Sequence, residues 1–181
     1  GGIGGAHRGS ETSMDISADL EELAISDVAV VCAGIKAILD LPKTLEILET
    51  KGVPVVGYKT DELPAFYTRK SGIKLIATAD TVDDIALIMK SKWDLGINGS
   101  ILITNPIPKE FEADAEEINV AIEEALILAN KKCISGKGIT PFILSHVSEL
   151  TGGHSLAANV ALVENNARLG AQIAFTFSKL V

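Results

Sequence analysis

A short apolar run, Val28-Ala29-Val30-Val31, leads into Cys32-Ala33-Gly34. A run of that length closed by a glycine predicts a buried strand over 28–33. Leu41-Pro42 then opens a helix with proline in its first turn, and Lys51-Gly52 closes it. Pro54 to Tyr58 reads as a second strand and Ile73 to Ala77 as a short third one. Thr81-Val82-Asp83-Asp84 has the form of a capping arrangement with early carboxylates, for a helix that ends near Leu95-Gly96. Ser100 to Thr104 is predicted as a strand stopped by Asn105-Pro106-Ile107-Pro108. From Glu110 to Lys132 the apolar positions follow a helical period, acidic at the start and basic at the end as the helix dipole favours. Thr140-Pro141 starts a further helix that stops at Gly152-Gly153, and Ser155 is the predicted cap of a last helix running toward Lys179.

This regular alternation predicts an α/β fold, a mostly parallel sheet flanked by helices on both faces, within a single domain over residues 1–181. No internal repeat or low-complexity segment interrupts it. With 181 residues and 47% hydrophobic content the chain can bury a core, and its charges are spread too evenly for a membrane span. A formal net charge of −8 gives no electrostatic reason to expect a nucleic acid polymer or an anionic membrane as partner. Cys32 and Cys133 lack CxxC spacing and read as reduced thiols, which suits a cytoplasmic or organellar-matrix location rather than secretion. The opening Gly1-Gly2-Ile3-Gly4-Gly5 lacks an initiator Met and reads as entry into a structured loop, so a fragment or a processed chain is expected.

Lys36 is the first chemical candidate. It follows the predicted strand 28–33, and the carboxyl ends of such strands are where α/β folds place their sites. The plainer reading is an exposed lysine opening a helix. Met14-Asp15-Ile16-Ser17-Ala18-Asp19 alternates like a strand, which puts Asp15 and Asp19 on one face, a suitable oxygen donor set for Mn²⁺ or Mg²⁺. The competing reading is a helix cap at Ser17 or Asp19 ahead of Leu20-Glu21-Glu22-Leu23. The glycine-rich opening reads either as a phosphate cradle or as a flexible turn, and it matches neither the P-loop nor the dinucleotide fingerprint. His7 and Arg8 beside it suit an anion, or form a solvated surface pair. Asn159 sits within apolar Leu156 to Val163, where a buried amide needs partners in the protein or in a ligand. Asn165-Asn166 reads as helix surface or loop contact.

The stretches Gly1 to Gly9, Met14 to Leu20, Val30 to Asp40, Gly52 to Tyr58, Thr60 to Tyr67, Asn105 to Pro108 and Thr151 to Asn159, in that order, resemble the pseudouridine-5′-phosphate glycosidase family, also called indigoidine synthase A-like. The resemblance implies reversible cleavage of the C–C glycosidic bond of pseudouridine 5′-phosphate to uracil and ribose 5-phosphate, with Mn²⁺ or another divalent cation. It places the Schiff-base nucleophile at Lys36, the metal ligand at Asp15, and substrate contacts at Ser17, Ala18, Asp19 and Asn159. His7 has a secondary role near the phosphate or the metal waters. It also implies a homotrimer. The family's proton-donor glutamate and a phosphate-contacting lysine belong to an N-terminal portion ahead of Gly1, so a companion chain carrying that portion is an expectation. Lys59 stands where a small residue is expected. Two rival expectations remain: a Schiff-base sugar-phosphate lyase of another specificity, and a catalytically silent binding or scaffolding fragment.

Overall fold

The computed structural model describes residues 1–134 and 138–181. Four strands, β1 (Ala29–Cys32), β2 (Val55–Tyr58), β3 (Ala77–Ala79) and β4 (Ile101–Thr104), form one sheet in the order β1-β4-β2-β3. Every pairing is parallel. All four residues of the central β4 are buried. Alternation divides them between two cores: Leu102 joins the cluster that contains Leu20, Ile35, Ile38 and Ile122, while Ile101 and Ile103 join Ile85, Met89, Leu169 and Ile173. A strand with both faces covered has no polar side, which is why the run Ile101-Leu102-Ile103 is unbroken.

The helices are α1 (Ser10–Ser13), α2 (Asp19–Ile25), α3 (Leu41–Thr50), α4 (Val82–Asp94), α5 (Ala115–Lys131), α6 (Ile139–Leu150) and α7 (His154–Phe177). α4 packs on α7 and α7 on β1, and α5 packs on α6. Among the described residues no helix is long and apolar enough to cross a membrane. Local chemistry sets several starts. Asp40 caps α3 by accepting from Lys43 N–H at 3.0 Å, and Thr81 and Asp84 cap α4 reciprocally.

Four expectations shift. The predicted helix from Glu110 instead begins at Ala115, because Asp114 accepts from the N–H groups of Glu116 and Glu117, while Lys109–Phe111 forms a separate 3₁₀ turn. The third strand lies at 77–79 rather than 73–77. Residues 73–75 pair antiparallel with 61–63 through Leu63 N–H to Ile73 O and Leu75 N–H to Asp61 O. Ser155 is not a cap: Gly153, with φ of 85°, holds that position, and Ser155 is buried inside the first turn of α7. The 14–19 segment is not a strand of the main sheet, as described below.

Lys92 is a buried cation without a carboxylate partner among the described residues. Its Nζ donates to the carbonyls of Ile97, Asn98 and Gly99 at 2.8, 2.6 and 2.6 Å, and so closes the connection between α4 and β4. Lys92→Met would keep the apolar stem but leave three inward carbonyls unpaired. The expected loss is about 3 kcal/mol, read as a lower urea midpoint at unchanged slope. An unchanged midpoint would show that water replaces the ammonium without cost.

Candidate active site

The glycine-rich opening organises the site. Residues 1–7 run beside the loop that leaves β1, with Ala33 N–H donating to Gly1 O, Ile3 N–H to Gly34 O, Lys36 N–H to Ile3 O and Asp40 N–H to Ala6 O. On the other side Ser17 N–H donates to Gly5 O, and His7 N–H to Asp15 O. The segment is neither a flexible turn nor a free phosphate cradle. Residues 3–6 are buried, and the N–H groups of Ile3, Gly4, Ala6 and His7 are taken by Gly34 O, Asp19 Oδ2, Thr44 Oγ1 and Asp15 O. Its glycines answer a need for close approach. A Cβ at Gly4 would run into Ser17 Oγ, and one at Gly5 would run into the Thr44 side chain.

This arrangement overturns the common face for Asp15 and Asp19. Asp15 precedes Ile16, which bridges Ala6, and its carbonyl accepts from His7 N–H, whereas Asp19 is the first residue of α2 and its carboxylate accepts from Gly4 N–H at 2.7 Å. The turn between them uses Ser17 Oγ, which accepts from Asp19 N–H at 3.3 Å, with exposed Ala18 at the N-cap position. A helix does start here, but its N-cap is Ala18, without a side-chain cap bond, rather than Ser17 or Asp19. The 14–19 segment pairs with the glycine segment rather than with β1, so the opening residues lie between it and the loop that leaves β1.

Lys36 projects from the loop beyond β1 and is half-buried. Lys43, Lys51, Lys74 and Lys90 each hold a carboxylate, whereas Lys36 pairs with none among the described residues. Its loop is clamped from the far side as well. Gly34 bridges Ala65, Phe66 N–H donates to Ala33 O, and buried Phe66 takes a left-handed φ of 66°. Such a conformation is strained for an aromatic residue and persists where surrounding packing enforces it. Cys32, four residues before Lys36, has its thiol pushed up to about 12 by burial, so it stays neutral and is no rival nucleophile.

Backbone pairing thus gathers His7, Asp15, Ser17, Ala18, Asp19 and Lys36 around one segment. Asn159 lies on another element, half-buried in α7. Seven residues further along that helix, Asn166 is buried: its Oδ1 accepts from Asn105 Nδ2 at 3.1 Å and its Nδ2 donates to Gly1 O at 3.3 Å. Asn165 Nδ2 reaches Pro106 O. Sequence reading placed Asn165-Asn166 at surface or loop contacts. The loop contact is found, but the burial of Asn166 shows only once Asn105, at the end of β4, is brought beside it.

The profile of the family described as indigoidine synthase A like protein matches residues 1–176. The chain belongs to the indigoidine synthase A-like family. It is 58% identical over 180 residues to a pseudouridine-5′-phosphate glycosidase of Caldanaerobacter subterraneus subsp. tengcongensis, covering 99% of this chain and 59% of the relative. With the Staphylococcus aureus protein of the same name the identity is 55% over 181 residues, covering 100% and 59%. The fold superposes with a TM-score of 0.92 on the prealnumycin C-glycosynthase AlnA in complex with ribulose 5-phosphate, at 34% identity over 99% of this chain and 59% of AlnA. With an indigoidine synthase A-like protein of Thermotoga maritima the TM-score is 0.86, at 37% identity over 96% and 56%. The chain spans about three-fifths of the length of the curated relatives it matches.

For this family member the oxygen donors set what metal can fit. Among the described residues no three His, Cys, Asp or Glu side chains converge as a closed metal cage. Asp15 is half-buried; its N–H donates to Ser13 Oγ and its carbonyl accepts from His7, which leaves its carboxylate uncommitted among the described residues. One free carboxylate fits a hydrated hard cation that keeps most of its waters, and does not fit a tetrahedral nitrogen and sulfur site.

Proposed function

We propose that this chain carries the nucleophile and the metal-side wall of a pseudouridine-5′-phosphate glycosidase, which reversibly cleaves pseudouridine 5′-phosphate into uracil and ribose 5-phosphate. The observation that carries the proposal is Lys36: half-buried, without a carboxylate partner among the described residues, and carried on a loop beyond β1 that is hydrogen-bonded on both sides. The names of the relatives and the sugar phosphate held by AlnA support it.

The chemistry explains why an amine is needed. An O-glycosidase protonates a departing oxygen between two carboxylates, but the uracil of a C-nucleoside departs as carbon. In the proposed reaction neutral Lys36 Nζ bonds to C1′ as the ribose ring opens and O4′ takes a proton. The nitrogen lone pair then forms C1′=N while the C1′–C5 pair passes to uracil C5, which gains a proton. Water releases ribose 5-phosphate and returns the amine, so the net reaction consumes one water. We assign no residue of this chain to the proton for C5. Ser17, Ala18, Asp19 and Asn159 are the proposed substrate contacts, with His7 beside them. Asp19 also fixes Gly4, so it acts on the pocket through the backbone as well.

Asp15 is the proposed ligand of Mn²⁺ or another divalent cation, whose charge when bound offsets that of the phosphorylated substrate. Asp15→Ala is expected to weaken Mn²⁺ by about tenfold or more in calorimetry, and Asp19→Ala by much less. Equal affinities in both variants would place the metal elsewhere. The exposed stripe Leu156, Val160 and Val163 on α7 supports the proposed homotrimer, which light scattering would test.

The activity test is incubation with ribose 5-phosphate, uracil and Mn²⁺, followed by a search for pseudouridine 5′-phosphate. Its formation is expected when a companion segment supplies the proton donor, and severely impaired turnover is expected without one. Cleavage of another sugar phosphate with no use of uracil would favour the lyase reading. Absence of every adduct would favour the silent scaffold.

A further inference from the structure

A cavity of about 270 Å³ with mixed polar and apolar lining opens between Arg8, Ala37, the turn containing Thr68, Lys70 and Ser71, and Ile118 and Asn119 on the first turns of α5. None of the residues proposed above for substrate or metal lines it. We propose that it is an oxyanion site for a phosphate group, built by residues other than those proposed above for substrate and metal.

The charges and donors that face it make the case. Arg8 presents five N–H donors, of which Nη1 uses one on Glu123 Oε1 and Nη2 one on Ala37 O, both at 3.3 Å, leaving others for a ligand. Glu123 is mostly exposed, so its pull on the guanidinium is screened and readily outcompeted. Lys70 in the same lining has only a loose partner, Glu62 at 3.9 Å, and that carboxylate lies nearer to Lys74 at 3.5 Å. Ser71 Oγ accepts from Ile73 N–H and keeps its own O–H to donate. Thr68 Oγ1 donates to Lys70 O and thereby shapes the turn that presents Lys70. The early carboxylates of α5 do not enter the cavity: Asp114 is engaged as the cap, and Glu116 and Glu117 line other surface hollows.

Two cations in one lining, with the hydroxyl of Ser71 and the amide of Asn119, match a tetrahedral anion better than an apolar ligand. They do so in a chain whose net charge of −8 repels anions at long range. The attraction is therefore local, and binding should weaken with added KCl.

The test is titration of the full chain carrying Lys36→Ala with inorganic phosphate, followed by ¹H–¹⁵N NMR. Removal of the amine leaves the Arg8 cavity intact and prevents covalent capture. Saturable shifts at residues 68–71 and 119 are expected. Lys70→Gln should weaken the affinity ~5-fold and Arg8→Gln ~10-fold or more. Lys70 is exposed, so its variant reports on binding even if Arg8→Gln perturbs folding. Ribose 5-phosphate in a parallel titration distinguishes the source: tighter binding than inorganic phosphate assigns the site to a phosphate monoester, and equal or weaker binding to free phosphate. Shifts confined to residues 15–19, or an affinity unchanged in both variants, would overturn the proposal. That result would leave the proposed role of Lys36 standing, because Lys36 does not line this cavity.

Discussion

Lys36→Ala is expected to lower turnover on the order of 10⁴–10⁶-fold, the scale reached when a covalent nucleophile is removed, and to leave the fold intact. Both halves follow from what the side chain touches. Its Nζ has no carboxylate partner among the described residues and its burial is partial, so removing it should change stability by no more than about 0.5 kcal/mol. The backbone pairings that hold the loop, through Ile3 O and Gly34 O, do not involve the side chain and persist. Lys36→Arg separates charge from nucleophilicity, because a guanidinium keeps the cation but does not deprotonate to attack C1′. It should therefore fail as fully as alanine in an assay of uracil release. Substantial turnover by the arginine variant would make Lys36 an electrostatic residue rather than the nucleophile.

Gly34→Ala is expected to be the most damaging single methyl in the site. Gly34 has φ of 87°, a region that costs an L-residue about 1–2 kcal/mol. Its Cβ would also fall within the Pro64 carbonyl, a backbone group that moves only if the whole 64–66 turn shifts. Overpacking of this kind adds about 1–3 kcal/mol, so a total of about 3–4 kcal/mol is expected in urea unfolding. Covalent capture at Lys36 should fall with it, since the displaced turn also holds Ala33 through Phe66 N–H. Gly52→Ala is the control: its φ is 71°, but no atom lies within 4 Å of the added methyl, so only the backbone term of about 1 kcal/mol applies. Equal losses at the two positions would show that the contact with Pro64 carries no weight.

These two residues also show how far the sequence could be read. A lysine just past an apolar run is visible without coordinates, because one buried strand of a parallel sheet dictates where its loop emerges. The strands 29–32, 55–58 and 101–104, the cap at Thr81 and the first-turn proline Pro42 were legible for similar reasons, each resting on residues close together in the chain. The resemblance quoted for Gly1 to Gly9 and Val30 to Asp40 agrees with the family match across residues 1–176.

Long-range pairings defeated the rest. Asp15 and Asp19 alternate like a strand pair, yet Asp19 starts a helix because Gly4, fifteen residues away, offers its N–H to the carboxylate. Gly1 to Gly5 look flexible in isolation; their small size serves packing against Ser17, Thr44 and Phe66, none of which is a local neighbour. Ser155 resembles a cap, but the left-handed Gly153 ends the preceding turn and takes the position instead. Asn166 lies only seven residues beyond Asn159, and nothing local signals that its amide closes a buried bond to Asn105.

The central claim is that Lys36 forms a covalent imine with ribose 5-phosphate, and reduction tests it directly. The protein is incubated with ribose 5-phosphate, treated with borohydride, digested, and the reduced sugar located by mass. The account predicts a single adduct on the peptide bearing Lys36, absent from Lys36→Ala. An adduct on Lys59, or none on any lysine of a folded and active preparation, would contradict it.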